Sequence, residues 1–95
     1  MSDILDKAAA ELSAKMPGGF DGSAKFHLNG EGSIIADRDG VRVGDDDTDV
    51  TLTADAETFQ AIIAGEMNPT GAFMSGKLSV DGDMGMAMKL ASALA

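Results

Sequence analysis

The spacing of the hydrophobic residues changes period along this chain, and that change constrains the fold more than any single motif. Ile4, Leu5, Ala8, Leu12 and Met16 recur every three to four residues, the spacing of one helix face. Asp3, Asp6, Lys7 and Glu11 fall on the opposite side, Ser2 or Asp3 stands where an N-cap belongs, and Pro17-Gly18-Gly19 ends the run. Alternation then takes over in Ala24-Lys25-Phe26-His27-Leu28, from Ser33 to Arg38, in Val41-Arg42-Val43, and at Val50, Leu52 and Ala54. Asn29-Gly30 and Asp39-Gly40 are hairpin signals, so these four short strands read as a meander. Helical spacing returns with Phe59, Ile62 and Ile63, behind an Asp55 cap and before Gly65. Asn68-Pro69 opens a short helix through Phe73 and Met74. Lys77 to Val80 alternates again, and Asp81-Gly82-Asp83 turns into a last helix, capped by Asp83 and running from Met84 onward. The spacing predicts an α+β fold.

Composition narrows the function. Ninety-five residues suit one domain, residues 1–95, that buries about 60–65% of its unfolded surface. Seven Lys and Arg against 16 Asp and Glu leave a net charge of −9. Such a balance argues against a nucleic-acid phosphate surface and against a polybasic membrane anchor. With no cysteine, disulfides, thiol catalysis and Cys-based zinc sites are excluded. Acids stand where a signal peptide would carry positive charge, and no run reaches the roughly 18–20 apolar residues of a membrane span. The expectation is a cytoplasmic protein.

The last helix carries the most information. From Met84 to Ala95 every residue but Gly85, Lys89 and Ser92 is apolar, and those three cluster within about 60° of the helical wheel. Met84, Met88 and Ala91 define one face; Met86, Leu90 and Leu94 define another. The apolar arc spans about 220°, whereas a helix laid on a sheet needs little more than about 100°. Five of the seven methionines lie between Met67 and Met88, and flexible thioethers suit irregular apolar shapes. Other helices, a dimer partner or a ligand could each cover the surplus, and periodicity alone does not choose among them.

Other constellations are weaker. Asp45, Asp47 and Asp49 mimic the first ligands of a calcium loop, but Val50 stands where that loop needs glycine and Ala56 where it needs glutamate. A solvated acidic turn is the simpler reading. Gly30-Glu31-Gly32 lacks the third glycine and the helix of a dinucleotide fingerprint. His27, the single histidine, lies on the polar phase of its strand with no nucleophile or metal co-ligand in the pattern.

Residues 65–90 carry an ordered run: Gly65 to Pro69, Ala72-Phe73-Met74-Ser75-Gly76-Lys77-Leu78, Gly82-Asp83-Met84-Gly85 and Met86-Ala87-Met88-Lys89-Leu90. It resembles the C-terminal signature of the sterol carrier protein 2 family, with weaker likeness through Asp49-Val50-Thr51-Leu52-Thr53 and Phe59. The resemblance implies a five-stranded, largely antiparallel sheet with helices over one face. Between sheet and C-terminal helix it implies an apolar tunnel that takes fatty acids, acyl-CoA, sterols or phospholipids, with no cofactor and no catalysis. The residues it nominates for ligand contact are Phe73, Met74, Met84, Met86, Met88, Leu90 and Leu94, joined by Phe59, Ile62 and Ile63 of the earlier helix. Two features depart from the family: the chain has neither tryptophan nor tyrosine, and its charge is −9 where familiar eukaryotic members are basic. The second favours a fatty acid, phospholipid or isoprenoid-like ligand over acyl-CoA and limits membrane contact to a transient one; sterol is the least expected ligand if the host is bacterial. The expected state is a monomer or weak dimer. The rival reading is an interaction module of the same fold that docks or self-associates through the last helix. An enzyme using Asp/Glu pairs is a third, for which the sequence offers no convergent arrangement.

Overall fold

The computed structural model describes residues 3–94. Its first helix, α1 (Asp3–Lys15), buries Leu5, Ala8 and Leu12, and Met16 just beyond it. Asp3 is already helical, and Ser2 lies outside the described residues. Strands β1 (Ala24–Leu28), β2 (Gly32–Asp37), β3 (Gly40–Val43) and β4 (Val50–Ala54) follow. Helices α2 (Ala56–Ile63) and α3 (Pro69–Met74), strand β5 (Ser79–Gly82) and helix α4 (Met84–Leu94) complete the fold. Apart from β5, these elements fall where the period of the sequence puts them; β5 starts two residues after Lys77 and takes in Asp81 and Gly82, because the N–H groups of Lys77 and Leu78 are bonded to the Ala72 carbonyl at the end of α3.

Their arrangement differs from a meander. The two hairpins β1–β2 and β2–β3 are antiparallel as their turn signals require. β4, however, lies beside β1, not β3, and runs parallel to it, with Ala24 opposite Val50 and Leu28 opposite Ala54. β5 closes the sheet antiparallel to β4, giving the order β3-β2-β1-β4-β5. The physical reason lies in the segment between β3 and β4. Six residues are too many for a tight hairpin, and at about 3.3 Å each they can span the three strand spacings of about 4.8 Å that separate β3 from β4. The reward is burial. Beside β1, Val50, Leu52 and Ala54 become core residues at 3% exposure or less.

The crossover runs over the face of the sheet away from the helices. Gly44 approaches Ile35, whose side chain is buried on that face, and donates its N–H to the Ser33 carbonyl at 3.1 Å. Lys25 reaches Asp45 at 2.7 Å, Arg42 grips Asp37 with two hydrogen bonds of 2.9 and 3.0 Å, and the Asp49 N–H donates to Ser23 Oγ. Two acidic residues of the expected solvated turn thus lie beside cations of the sheet, Asp45 at Lys25 and Asp46 3.7 Å from Arg42. His27 sits half-buried on this face, its Nδ1 3.0 Å from Ser33 Oγ.

The hydrogen bond from Lys25 holds the Asp45 carboxyl below the ordinary value of 3.8, as Arg42 does for Asp37. A carboxyl depressed by folding stabilises the fold above its unfolded pKa, and that contribution disappears as pH falls through the folded pKa. Lys25→Met keeps the aliphatic stem beside Ile35 and removes the partner of Asp45. Its stability deficit should therefore be present at pH 7 and shrink once pH drops below 3.8, read from urea midpoints of both proteins. A deficit that persists unchanged at the lower pH would assign the loss to packing.

On the other face, Ile34, Phe26 and Leu52 line up across neighbouring strands and are almost fully buried. Phe26 meets the ring of Phe59 from α2 edge-on, centroids 5.4 Å apart. α1 packs on β2, β3 and α2, while α4 covers β4 and β5 and touches α3 and α1. All helices thus share one side of the sheet. Among the described residues no helix is long and apolar enough to cross a membrane.

Candidate functional site

Two helix ends define the site. Asn68 caps α3, its side-chain oxygen accepting from the N–H groups of Thr70 at 2.8 Å and Gly71 at 3.3 Å, with Pro69 in the first turn. At the other end Gly76, at φ +81°, donates to the Phe73 carbonyl while Lys77 donates to that of Ala72, a Schellman closure. This turn folds the chain back, so that Leu78 is buried under α3 before β5 begins. β5 ends at Gly82, where φ is +105° and a Cβ would run into the Asp49 carbonyl. The Asp83 N–H then bonds that same carbonyl at 2.9 Å, and its carboxylate caps α4 through the Met86 N–H at 3.1 Å. Asp55 behaves differently. It holds the N-cap position of α2, yet its carboxylate accepts from the Asn29 amide at 3.1 Å and makes no cap bond.

Launched in this way, α4 lies across β4 and β5 beside α3, and the two helices enclose a groove of about 250 Å³. Leu52, Leu78 and Val80 line it from the sheet side. Pro69, Thr70 and Phe73 form the α3 wall; Met84, Ala87, Met88, Ala91 and Leu94 form the α4 wall. The Thr70 hydroxyl is the one polar side-chain group in this lining, and no titratable residue belongs to it. Ala87 and Leu94 are buried, whereas Phe73, Met84 and Met88 are 44%, 52% and 72% exposed. The surplus apolar arc of the last helix therefore faces a gap open to solvent.

An enclosed tunnel is not what this structure holds. The groove is half-open, because Thr70, Ala87 and Ala91 on its helical walls are too short to bridge it. Its chemistry is simple: it can take up an apolar chain, and it presents no acid, base or nucleophile beyond one threonine hydroxyl. Among the described residues no three His, Asp or Glu side chains come together as a metal site.

Four of the ten expected contact residues, Phe73, Met84, Met88 and Leu94, line the groove. Phe59, Ile62, Ile63 and Leu90 are core residues at 6% exposure or less and are not in its lining. Met86 is half-buried and packs against Gly22, where its sulfur lies so close that a Cβ would collide with it. Met74 stands outside the lining, 80% exposed. Sequence reasoning passed over Leu52, Pro69, Thr70, Leu78, Val80, Ala87 and Ala91. A signal existed for some of them: Met84, Ala87, Met88 and Ala91 form one stripe, and Leu78 and Val80 stand two residues apart in an alternating run.

The sequence profile of the SCP-2 sterol transfer family matches residues 4–95. Hydroxysteroid dehydrogenase-like protein 2 of Xenopus laevis is 44% identical over 77 residues, which cover 73% of this chain and only 18% of that protein. The crystal structure of sterol carrier protein 2 like 2 from Aedes aegypti superposes with a TM-score of 0.71 at 28% identity, covering 94% of this chain and 91% of that one. The solution structure of its palmitated form matches with a TM-score of 0.66 at 25% identity, over 99% and 95% of the two chains.

Proposed function

Since the chain belongs to the SCP-2 sterol transfer family, we propose that residues 1–95 act as one lipid-binding domain that takes a fatty-acid or phospholipid chain into the α3–α4 groove and releases it unchanged. The observation that carries this reading is a groove lined by apolar side chains whose mouth keeps two thioethers and a phenyl ring in water. The palmitated Aedes aegypti relative supports a fatty acid in particular. Transfer of each CH₂ from water contributes about 0.8 kcal/mol. A sixteen-carbon chain thus gains on the order of 12 kcal/mol gross, enough for micromolar binding after the costs of ordering and immobilisation.

The groove's 250 Å³ lies just under the range of about 300–1,000 Å³ usual for ligand pockets, so a long chain needs α3 and α4 to part. Native mass spectrometry of freshly purified protein is the first test; a co-purified lipid mass is expected. Amide exchange is the second. Protection along α4 should rise when palmitate fills the groove, while the α1 amides change little. Unchanged protection of α4 at saturating palmitate would count against the groove.

The 80% exposure of Met74, beside Phe73 but outside the groove, favours the rival reading of a docking or self-association surface. A lipid-free dimer in the same mass spectrum would support it. The dehydrogenase-like relative is several times longer than the stretch matched here, and the module proposed is non-catalytic.

A further inference from the structure

The methionines among the described residues are sorted by exposure. Met74, Met88 and Met84 are 80%, 72% and 52% exposed, Met67 and Met86 are half-buried, and Met16 is buried at 5%. The chain has no cysteine, so its peroxide-reactive sulfur is confined to methionine thioethers. Among the described residues, two of the three exposed methionines, Met84 and Met88, belong to the groove mouth.

We propose that Met84 and Met88 form an oxidation site at which peroxide switches apolar-ligand binding off. This rests on the groove being the lipid site. A sulfur lone pair attacks the peroxide, the O–O bond breaks, and one oxygen joins the sulfur. The thioether is oxidised by two electrons to the sulfoxide, and hydrogen peroxide is reduced to water. The product replaces a soft apolar contact by a strong dipole. In an empty groove, water solvates that dipole. An acyl chain entering the groove strips the water away, and the Thr70 hydroxyl is the lone side-chain hydrogen-bond donor the lining can offer in return. Oxidation therefore penalises the bound state selectively. Met74, outside the lining, oxidises without this consequence. Sulfoxide reductases with dithiol reductants reverse the step, which makes the site switchable.

The test uses hydrogen peroxide, peptide mass mapping and titration with a fluorescent C16 fatty acid. Oxygen should appear first at Met74 and Met88, then Met84, and last at Met16. Affinity should fall by roughly tenfold or more as Met84 and Met88 are modified. Met74→Leu should show the same fall. In the double variant Met84→Leu, Met88→Leu, whatever its starting affinity, peroxide should leave that affinity unchanged. Bound fatty acid should slow oxidation of Met84 and Met88 but not of Met74. Untreated protein that fails to bind the probe overturns the lipid reading and this inference together. Binding that survives oxidation of both residues, or is lost through oxidation of Met74 alone, overturns the inference and leaves the lipid reading standing.

Discussion

Phe26→Ala should lower the unfolding free energy by about 3–5 kcal/mol, measured by urea denaturation. Phe26 sits on the central strand with no exposed surface, between Ile34 and Leu52, and its ring abuts that of Phe59. Alanine leaves a cavity that three neighbours from different elements cannot fill together. Against a total of about 5–15 kcal/mol for an ordinary domain, this brings the protein close to its unfolding threshold. Val43 lies across from Ile34 on edge strand β3 and is 46% exposed, so Val43→Ala should cost about 0.5 kcal/mol or less. A loss below about 1 kcal/mol for Phe26→Ala would mean that the α1–α2 layer collapses onto the sheet, and that the core is far more plastic than its burial implies.

Most element boundaries, those of β5 excepted, were legible because each depends on neighbours in sequence. Asn68-Pro69, Asp83 and Gly65 act within one turn, and the structure uses all three for helix ends: side-chain caps at Asn68 and Asp83, and a Schellman turn at Gly65. Strand order was not legible in the same way. Nothing in Val50, Leu52 and Ala54 distinguishes a place beside β3 from one beside β1, since either would bury the same alternate residues. The choice is made by a loop of six residues and by ion pairs such as Lys25–Asp45, which join positions 20 residues apart.

The site divides along a similar line. The surplus apolar arc of α4 marked it as unusual, and Met84 and Met88 do face the groove. What periodicity could not settle is which apolar face meets the core. Leu90 and Met86 turn inward because α4 starts from Gly82 and Asp83, held against the Asp49 carbonyl, and that anchor fixes the rotation of the helix. The small wall residues Ala87 and Ala91 share the stripe of Met84 and Met88 but were not nominated for ligand contact, for another reason. Alanine matters here by the space it leaves, and a hydrophobic pattern records only what a residue fills.

Ala91→Trp should therefore reduce binding of a fluorescent C16 fatty acid by more than about tenfold while leaving the fold intact. Ala91 is half-buried on the α4 wall, and an indole added there occupies room the acyl chain needs. Overpacking a closed core costs about 1–3 kcal/mol. A half-open groove can instead accept the ring, whose burial gains about 25 cal/mol per Å² of apolar surface. The melting temperature should hold or rise, and that separates a blocked site from an unfolded one. The polar crevice between α1 and α2, lined by Lys7, Glu11, Glu57 and Gln60, is the control surface, because a ligand held there would not sense residue 91. Met74 supplies the other control. Self-association through that exposed side chain should survive Ala91→Trp, whereas lipid binding should not. Retained fatty-acid affinity in a folded Ala91→Trp protein would place the ligand outside the groove and leave the interaction module as the better account of the apolar face of α4.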